Sequence, residues 1–530
     1  MCLNSDVWNN SLTFAAEFFK NCFKDMKNFK TLLVSALLST TATTAMAGGI
    51  LTNTNQSIDF LRNPARDAAI GLDGVYSNPA GVAFLPEGFH LGLNWQYAHQ
   101  TRTIVSNDPV FAMGRKNNGK TQKTFEGVAD APIIPSIQAA WNRGDWSLQF
   151  NFSIPGGGGK CSYDEGLGSF ERVVGNIAQM LQPLGATGYD MNSFMEGRQY
   201  YFGIQLGSAY KINDKVAVYG GLRLLYGDAT YRARISNIMV QTAGGYVDFG
   251  SFLSSATATI DNNIALASDG IAQVKAGIAQ YESMGVTAPA ELTGKLAQLE
   301  GTLAKLQGSR TSIDGLQKYS EGVNLMCNQT GLSVAPVIGI DYKLNDQFNF
   351  AAKYEFKTQM RMKNESTLFE AGEIDAVNKY KDGEKVNEDQ PSLLTLGAQW
   401  SPISNVRLNA GFHHFFDKHA RWYNDAQDKL DHDTNELLAG AEWDINDRVT
   451  VSLGGQLTRY GMSDEYMNDM SFVVDSYSFG FGLNYRVRDN IKLKFAYFQT
   501  DYEDYNRTQP TVDSFTRTNH VLGIGCDIDL

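Results

Sequence analysis

Beyond residue 50 the chain has no stretch approaching the ~20 consecutive apolar residues that a membrane-spanning helix requires. A helical transporter is thereby excluded. Charge is also scarce, 19% of 530 residues, where soluble proteins carry about 25%. Basic residues are outnumbered, 45 Lys and Arg against 57 Asp and Glu. This balance argues against a nucleic-acid partner, which needs basic patches to meet the phosphates. Cysteine is rare, and of five only Cys161, Cys327 and Cys526 follow the N-terminal region. An odd number is no disulfide framework. Cys161 and Cys327 could pair if their loops meet, two unrelated small apolar side chains being the plainer reading. No Ser/His/Asp set or carboxylate pair can be assembled, so neither an enzyme nor a cofactor is expected. What the chain does have is 30 Phe, 24 Tyr and 51 Gly, which argues against disorder. Its mean hydropathy of -0.27 fits a run of soluble domains. It fits equally one large β-barrel, whose apolar outside and polar inside average away.

The N-terminus reads as an address. Lys20, Lys24, Lys27 and Lys30 precede the apolar run Leu32 to Leu38, and a small-residue stretch ends in Ala45-Met46-Ala47. This is the pattern of a secretory signal with an A-x-A cleavage site, which places the mature start at Gly48. Met26 opens a signal of ordinary length, so residues 1–25 read either as an extension from an upstream start or as an unusually long n-region. No cysteine sits at the cleavage site, so a lipoprotein is not expected. Removing four lysines and three acidic residues with the signal takes the net charge from -12 to -13.

Period-two runs bounded by turn residues predict strands near 89–99, 132–142, 145–155, 200–211, 215–236, 331–343, 347–363, 391–401, 404–415, 434–444, 447–459, 472–486, 490–500 and 515–528. That is fourteen, an even number. The connections alternate between short turns (Arg143-Gly144, Ile212 to Asp214, Leu344 to Asp346, Pro402-Ile403, Ile445-Asn446, Val487 to Asn490) and long segments. Transmembrane barrels sort their loops in this way, with short periplasmic turns and long extracellular loops. In 472–486, Tyr477, Phe479, Phe481, Leu483 and Tyr485 share one face, opposite Ser478, Gly480, Gly482, Asn484 and Arg486. Val406, Leu408, Ala410 and Phe412 are set against Arg407, Asn409 and His413 in the same manner. The expectation is an all-β fold, a fourteen-stranded antiparallel transmembrane β-barrel over 89–530 in the outer membrane of a Gram-negative bacterium. Its surroundings would be outer-membrane lipid and lipopolysaccharide, and a monomer suffices. A lumen bounded by fourteen strands is wider than side chains alone can fill. Residues 48–88, which carry no strand pattern, are suited to enter it as a hatch.

That segment contains Gly71-Leu-Asp-Gly-Val-Tyr-Ser-Asn78-Pro79-Ala80-Gly-Val-Ala83. Its Asn78, Pro79 and Ala80, at this distance after a signal and ahead of fourteen strands, resemble the hatch motif of the FadL/TodX family. Members of that family are outer-membrane transporters of long-chain fatty acids and other hydrophobic compounds. The resemblance implies the same architecture along the whole mature chain and a hydrophobic small molecule as cargo. It also implies lateral release through a kink in the third strand, controlled by the hatch. Here that strand runs into Pro155, Gly156, Gly157, Gly158 and Gly159. Proline removes a ladder donor and glycines offer nothing to pack, so a break in the wall is expected there, unless the strand simply ends.

Residues 251–322 change character and become rich in Ala, Leu, Gln and Lys. Ile260, Ile264, Ala267, Ile271, Val274, Ile278 and Tyr281, then Leu292, Leu296, Leu299, Leu303, Leu306 and Ile313, recur at spacings of three and four. They predict an extracellular helical hairpin with a shared seam, either a groove over the channel mouth or a protrusion that uses its seam internally. Strand alternation points Arg223, Lys353, Lys357, Arg407 and Lys494 into the lumen, as candidates for holding a carboxylate head group. His413, His414, Asp417, His419 and Asp431-His432-Asp433 fit no zinc spacing. The acidic clusters around Asp464 and Asp501 read as solvated loops, and no metal is expected. The chain ends in Leu530, where barrels of this class usually end in an aromatic residue. Three functions follow in order of preference: passive uptake of hydrophobic molecules, a surface interaction protein using the hairpin, and a general porin.

Overall fold

The computed structural model describes residues 49–317, 320–369, 379–470 and 472–530. The signal peptide expected in 1–47 lies outside the described residues. The barrel strands are β1 (Gly88–Asn107), β2 (Gln122–Arg143), β3 (Trp146–Tyr163), β4 (Gly188–Asn213), β5 (Val216–Thr242), β6 (Val323–Lys343) and β7, in two pieces (Phe348–Glu355 and Arg361–Phe369). They continue with β8 (Leu393–Ile403), β9 (Val406–Phe415), β10 (Thr434–Asn446), β11 (Val449–Arg459), β12 (Ser476–Arg488), β13 (Ile491–Tyr502) and β14 (Val512–Asp529). Each pairs antiparallel with its neighbour, and β1 closes on β14 from His90↔Asp529 to Asn107↔Val512. All fourteen expected strands are present in the expected order.

The alternation follows from solvent on two sides. In β12, Tyr477, Phe479, Phe481, Leu483 and Tyr485 are exposed on the outer wall, while Ser476 and Ser478 are buried inside. Leu222, Leu332, Leu437 and Leu453 continue the exposed apolar belt around the barrel. Trp141, Trp146, Tyr210, Tyr342, Trp400, Trp443 and Tyr485 mark the rim at the short-turn end, where Trp146 and Tyr210 stack with centroids 4.7 Å apart. In water such a surface would be unfavourable. Against lipid it is the required one, because a closed wall pairs its backbone groups from strand to strand and turns its apolar side chains outward. No described helix is long and apolar enough to cross a membrane.

β4 runs for 26 residues, more than twice the expected 200–211, and β5 for 27, continuing six residues past the expected 215–236. Their outer halves carry Asp190, Asn192, Arg198, Arg232 and Arg234 and remain paired there. Having left the apolar belt, they have no reason to alternate, which is why the sequence pattern stopped short. β7 is expected as one strand but breaks at residues 356–360, where the backbone turns to hydrogen-bond Asp389 and Gln390.

The hatch enters the lumen from the short-turn end. It holds one short helix, α1 (Ile58–Arg62), begun by the Ser57 hydroxyl accepting the Phe60 N–H at 3.0 Å. Two 3₁₀ turns follow, at Leu72–Val75 and Gly81–Phe84. Ile58, Leu61, Val75 and Val82 are fully buried. The wall facing them is stripped of side chains. A Cβ at Gly397, Gly411, Gly440, Gly454, Gly480 or Gly523 would run into Ala68, Asp67, Asn63, Pro64, Leu61 or Ile58. Inward glycines on β8 to β12 and on β14 thus let the hatch lie directly on the barrel backbone.

On the long-loop side, α2 (Gly168–Met180) packs under α3 (Phe249–Ser283), which is followed by α4 (Ala290–Gln317). The expected hairpin is present, beginning two residues earlier, and α3 extends about 52 Å at 1.5 Å per residue over its 35 residues. Ile260, Ala267, Ile271 and Val274 are buried along the seam. Arg310–Asp261 at 2.9 Å and Lys275–Glu300 at 2.8 Å cross it. Cys161, Cys327 and Cys526 are all buried, and Cys161 and Cys327 are not joined in a disulfide.

Candidate functional site: the lumen cavity and the wall seam

β3 leaves the regular wall where its sequence becomes Ile154-Pro155-Gly156. Its register with β4 skips from Ser153↔Gly203 to Gly156↔Tyr201 and again to Gly159↔Gln199. Gly157 and Gly159 adopt positive φ, 101° and 71°, a conformation that only glycine accepts readily. On its other side β3 pairs with β2 from Trp146 to Phe152 and again at Ser162, but not in between. The facing stretch of β2 contains Pro132 and Pro135, each of which has no N–H to leave unpaired. Pro155, Gly156, Gly157 and Gly159 therefore border a seam in the wall between β2 and β3. Pro132 and Pro135 were missed as its other edge, although two prolines inside a strand pattern are a readable sign of interrupted pairing.

The first residues of the hatch stitch this seam. Thr52 forms a bridge to Gly156, and the Asn53 N–H donates to the Pro155 carbonyl at 3.0 Å. Gln56 acts as a substitute strand residue. Its side-chain amide donates to the Ile154 carbonyl at 3.2 Å and accepts the Ile154 N–H at 3.1 Å. Its own carbonyl accepts the Ser136 hydroxyl of β2 at 2.6 Å. Gln390 donates to both Leu51 and Pro155 carbonyls, at 3.1 and 3.0 Å.

Directly above lies a cavity of about 300 Å³, at the lower end of small-molecule pockets. Tyr163, Met195, Tyr231, Tyr380, Trp422 and Tyr466 line it, and Leu51 of the hatch and Gly159 of β3 reach it as well. Its polar edge includes Lys379 and Glu388, paired at 2.5 Å. Burial disfavours the Lys379 ammonium, but Glu388 beside it overrides this and raises its pKa. One cavity thus touches the hatch, the seam and the aromatic interior.

The hatch motif is anchored in the wall rather than at the seam. The Asn78 amide donates to Asp341 at 2.6 Å, and Asn349 donates to the same oxygen at 2.9 Å. Gln149 donates to the Pro79 carbonyl at 2.7 Å, and Ala80 packs among Ala209, Ala217, Tyr219 and Val337. The five candidate cations fall into three groups. Arg223 and Lys353 flank Tyr76 at 4.9 and 4.7 Å and share Glu355, with Lys353 at 2.8 Å. Lys494 pairs with Asp59 and with Asp527, the latter at 2.5 Å, and Arg407 pairs with Glu442 at 3.1 Å and Asp444 at 2.6 Å. Lys357 sits in the β7 break and donates to the His419 carbonyl at 2.9 Å. None of the five lines the aromatic cavity.

Lys494 and Arg407 instead belong to a charge network that fixes the hatch, which the sequence pattern did not reveal. Arg62 and Arg66 of the hatch both reach Glu442 of β10, at 2.6 and 3.0 Å. His413 lies between Asp67 of the hatch, 3.0 Å away, and Glu436, 2.8 Å away. Single charges on separate strands carry no spacing signal, so only the closed barrel brings them together.

No protein-family model and no curated protein matches the chain. Solved structures do match in fold. A Pseudomonas aeruginosa FadL homologue aligns over 91% of this chain and 100% of its own, at 11% identity and a TM-score of 0.56. The P. putida toluene transporter TodX aligns over 87% of this chain and 94% of its own, at 11% identity and a TM-score of 0.51.

Proposed function

We propose that the chain is an outer-membrane channel for passive uptake of hydrophobic molecules, with long-chain fatty acids as one cargo class. Cargo binds in the aromatic cavity and leaves sideways through the β2–β3 seam when the segment Leu51–Gln56 withdraws. The observation that carries this reading is the position of the cavity. Its wall includes Leu51 and Gly159, so a ligand inside touches both the stitch and the strand that the stitch holds. The straight route to the periplasm is filled by the hatch, whereas the seam opens onto lipid, the better solvent for an apolar molecule. The fold shared with a FadL homologue and a toluene transporter supports the same reading. Cells lacking the gene should take up labelled oleate or toluene several-fold more slowly. Unchanged uptake of both, with the protein verified in the outer membrane of the parent, would overturn it.

The hairpin favours a second reading, an interaction surface, because Leu266, Met284 and Val286 are exposed on it. Deleting 251–322 separates the two. Intact uptake with lost surface attachment assigns the hairpin to adhesion.

A further inference from the structure

Above the apolar belt the outer wall is not alike all round the barrel. At the outward positions of β5 the sequence passes from Leu222, Leu224 and Tyr226, all exposed, to Asp228, Thr230, Arg232 and Arg234. The ladder sets this change beside others like it. Lys160 of β3, Arg198 of β4, Thr230 of β5, Asn328 of β6 and Glu365 of β7 are successive cross-strand partners. The row they form is four strand spacings of ~4.8 Å wide. Arg232 and Arg234 stand above it, and Lys363 stands just below it opposite Thr330. These five cations outnumber the acids among them, Glu196, Asp228 and Glu365, in a chain whose formal net charge is -12. The positive groups also lie outermost. Glu196 is 14% exposed between Lys160 and Arg232, which are 46% and 51% exposed. Asp228 is taken up by Arg198 at 2.7 Å, while Arg234 and Lys363 are exposed and make no ion pair among the described residues. On β12 and β13 the positions that follow the belt are acidic instead. Asp501 lies opposite Tyr477, and Asp475 and Glu503 share Arg459, at 3.7 and 3.0 Å. The continued pairing of β4 and β5 beyond the belt thus holds one patch of cations on a rigid sheet rather than on loops.

We propose that this face of β3 to β7 is a docking surface for lipopolysaccharide, the phosphorylated glycolipid of the outer leaflet. Its phosphates meet Lys160, Arg232, Arg234 and Lys363. Its acyl chains lie on the exposed Ile204, Leu206, Leu222, Leu224 and Leu332 beneath them. Two observations select this occupant. The cations and the apolar belt are continuous along the same strands, so one amphiphile covers both. The guanidinium fork matches phosphate bidentately, and a row several strands wide suits a head group with more than one phosphate. The surface faces away from the lumen, so the proposal needs nothing from the reading of the cavity.

The test is native mass spectrometry of the full mature chain in nonionic detergent, titrated with bisphosphorylated lipid A, with its monophosphorylated form and with phosphatidylglycerol. The wild type should hold the bisphosphorylated lipid about 10-fold more tightly than either of the others. The triple variant Arg232→Gln, Arg234→Gln, Lys363→Gln should lose about 10- to 100-fold. The charge-keeping pair Arg232→Lys, Arg234→Lys should stay within about threefold of the wild type. Lys295→Gln with Lys305→Gln, which removes exposed charge from the hairpin instead, should leave binding unchanged. Equal binding by the wild type and the triple variant would overturn the proposal. So would phosphatidylglycerol binding as tightly as the bisphosphorylated lipid, which would mean attraction to any anionic lipid. Displacement of the lipid by millimolar inorganic phosphate would also overturn it, by assigning the cations to a small free anion. If the triple variant does not fold, Lys363→Gln alone decides: a loss of about threefold or more supports the proposal, and no loss overturns it.

Discussion

At the scale of single residues, Gln56 is the sharpest test of the seam. Its side chain pairs with both backbone groups of Ile154 while its own carbonyl holds Ser136. Gln56→Ala should raise uptake of apolar cargo or permeability to hydrophobic antibiotics, with the barrel's thermal stability little changed. Glu442 is the corresponding test of the hatch latch. Glu442→Gln leaves Arg62, Arg66 and Arg407 short of one carboxylate, and breaking a buried pair costs about 3–5 kcal/mol. The urea midpoint for unfolding in micelles should fall accordingly. Asp417, buried in the connection after β9, gives a pH signature. Burial pushes its carboxyl up to about 7, against the pull of its hydrogen bonds to Thr434. The folded loop therefore holds the proton more tightly than the unfolded chain, in which Asp titrates near ~4. The loop's stability is full below ~4, declines as pH rises towards 7 and is lowest above that. Amide exchange in 417–434 should quicken over this range, and Asp417→Asn should flatten the dependence.

At the scale of elements, legibility tracked the solvent. Where a strand meets lipid on one side and the lumen on the other, as β12 does at Tyr477 to Tyr485, alternation located it. Where β4 and β5 rise clear of the membrane, the pattern vanished although the pairing continued. The kink at Pro155 was legible because proline and glycine act locally. The hatch latch was not, because Arg62 and Glu442 meet only through the closure of the barrel. The hairpin was legible from its spacing, and its composition carries one more consequence. Gly294 and Gly301 lie within α4, and a Cβ at either would meet nothing within 4 Å. Each Gly→Ala change should therefore stabilise the helix by roughly 0.5–1 kcal/mol, seen as slower amide exchange in α4 with uptake unchanged.

At the scale of the whole molecule, the hatch is what distinguishes this barrel from an open pore. Deleting 49–87 leaves the inward glycines of β8 to β12 and β14 facing an empty lumen. Ion conductance in planar bilayers should rise from near zero to porin level. High conductance of the intact chain would instead revive the porin reading. The stitching of the seam has a consequence for how the molecule is made. β3 borrows hydrogen-bond partners from the segment Leu51–Gln56, and unpaired backbone in lipid is costly. The wall is therefore not finished when strand fourteen meets strand one. It is complete only when the N-terminal segment is in place, so the residues that leave the ribosome ahead of every strand also close the last gap. Seating the hatch is then a step of barrel assembly, and a chain that misplaces it would reach the membrane with an open flank.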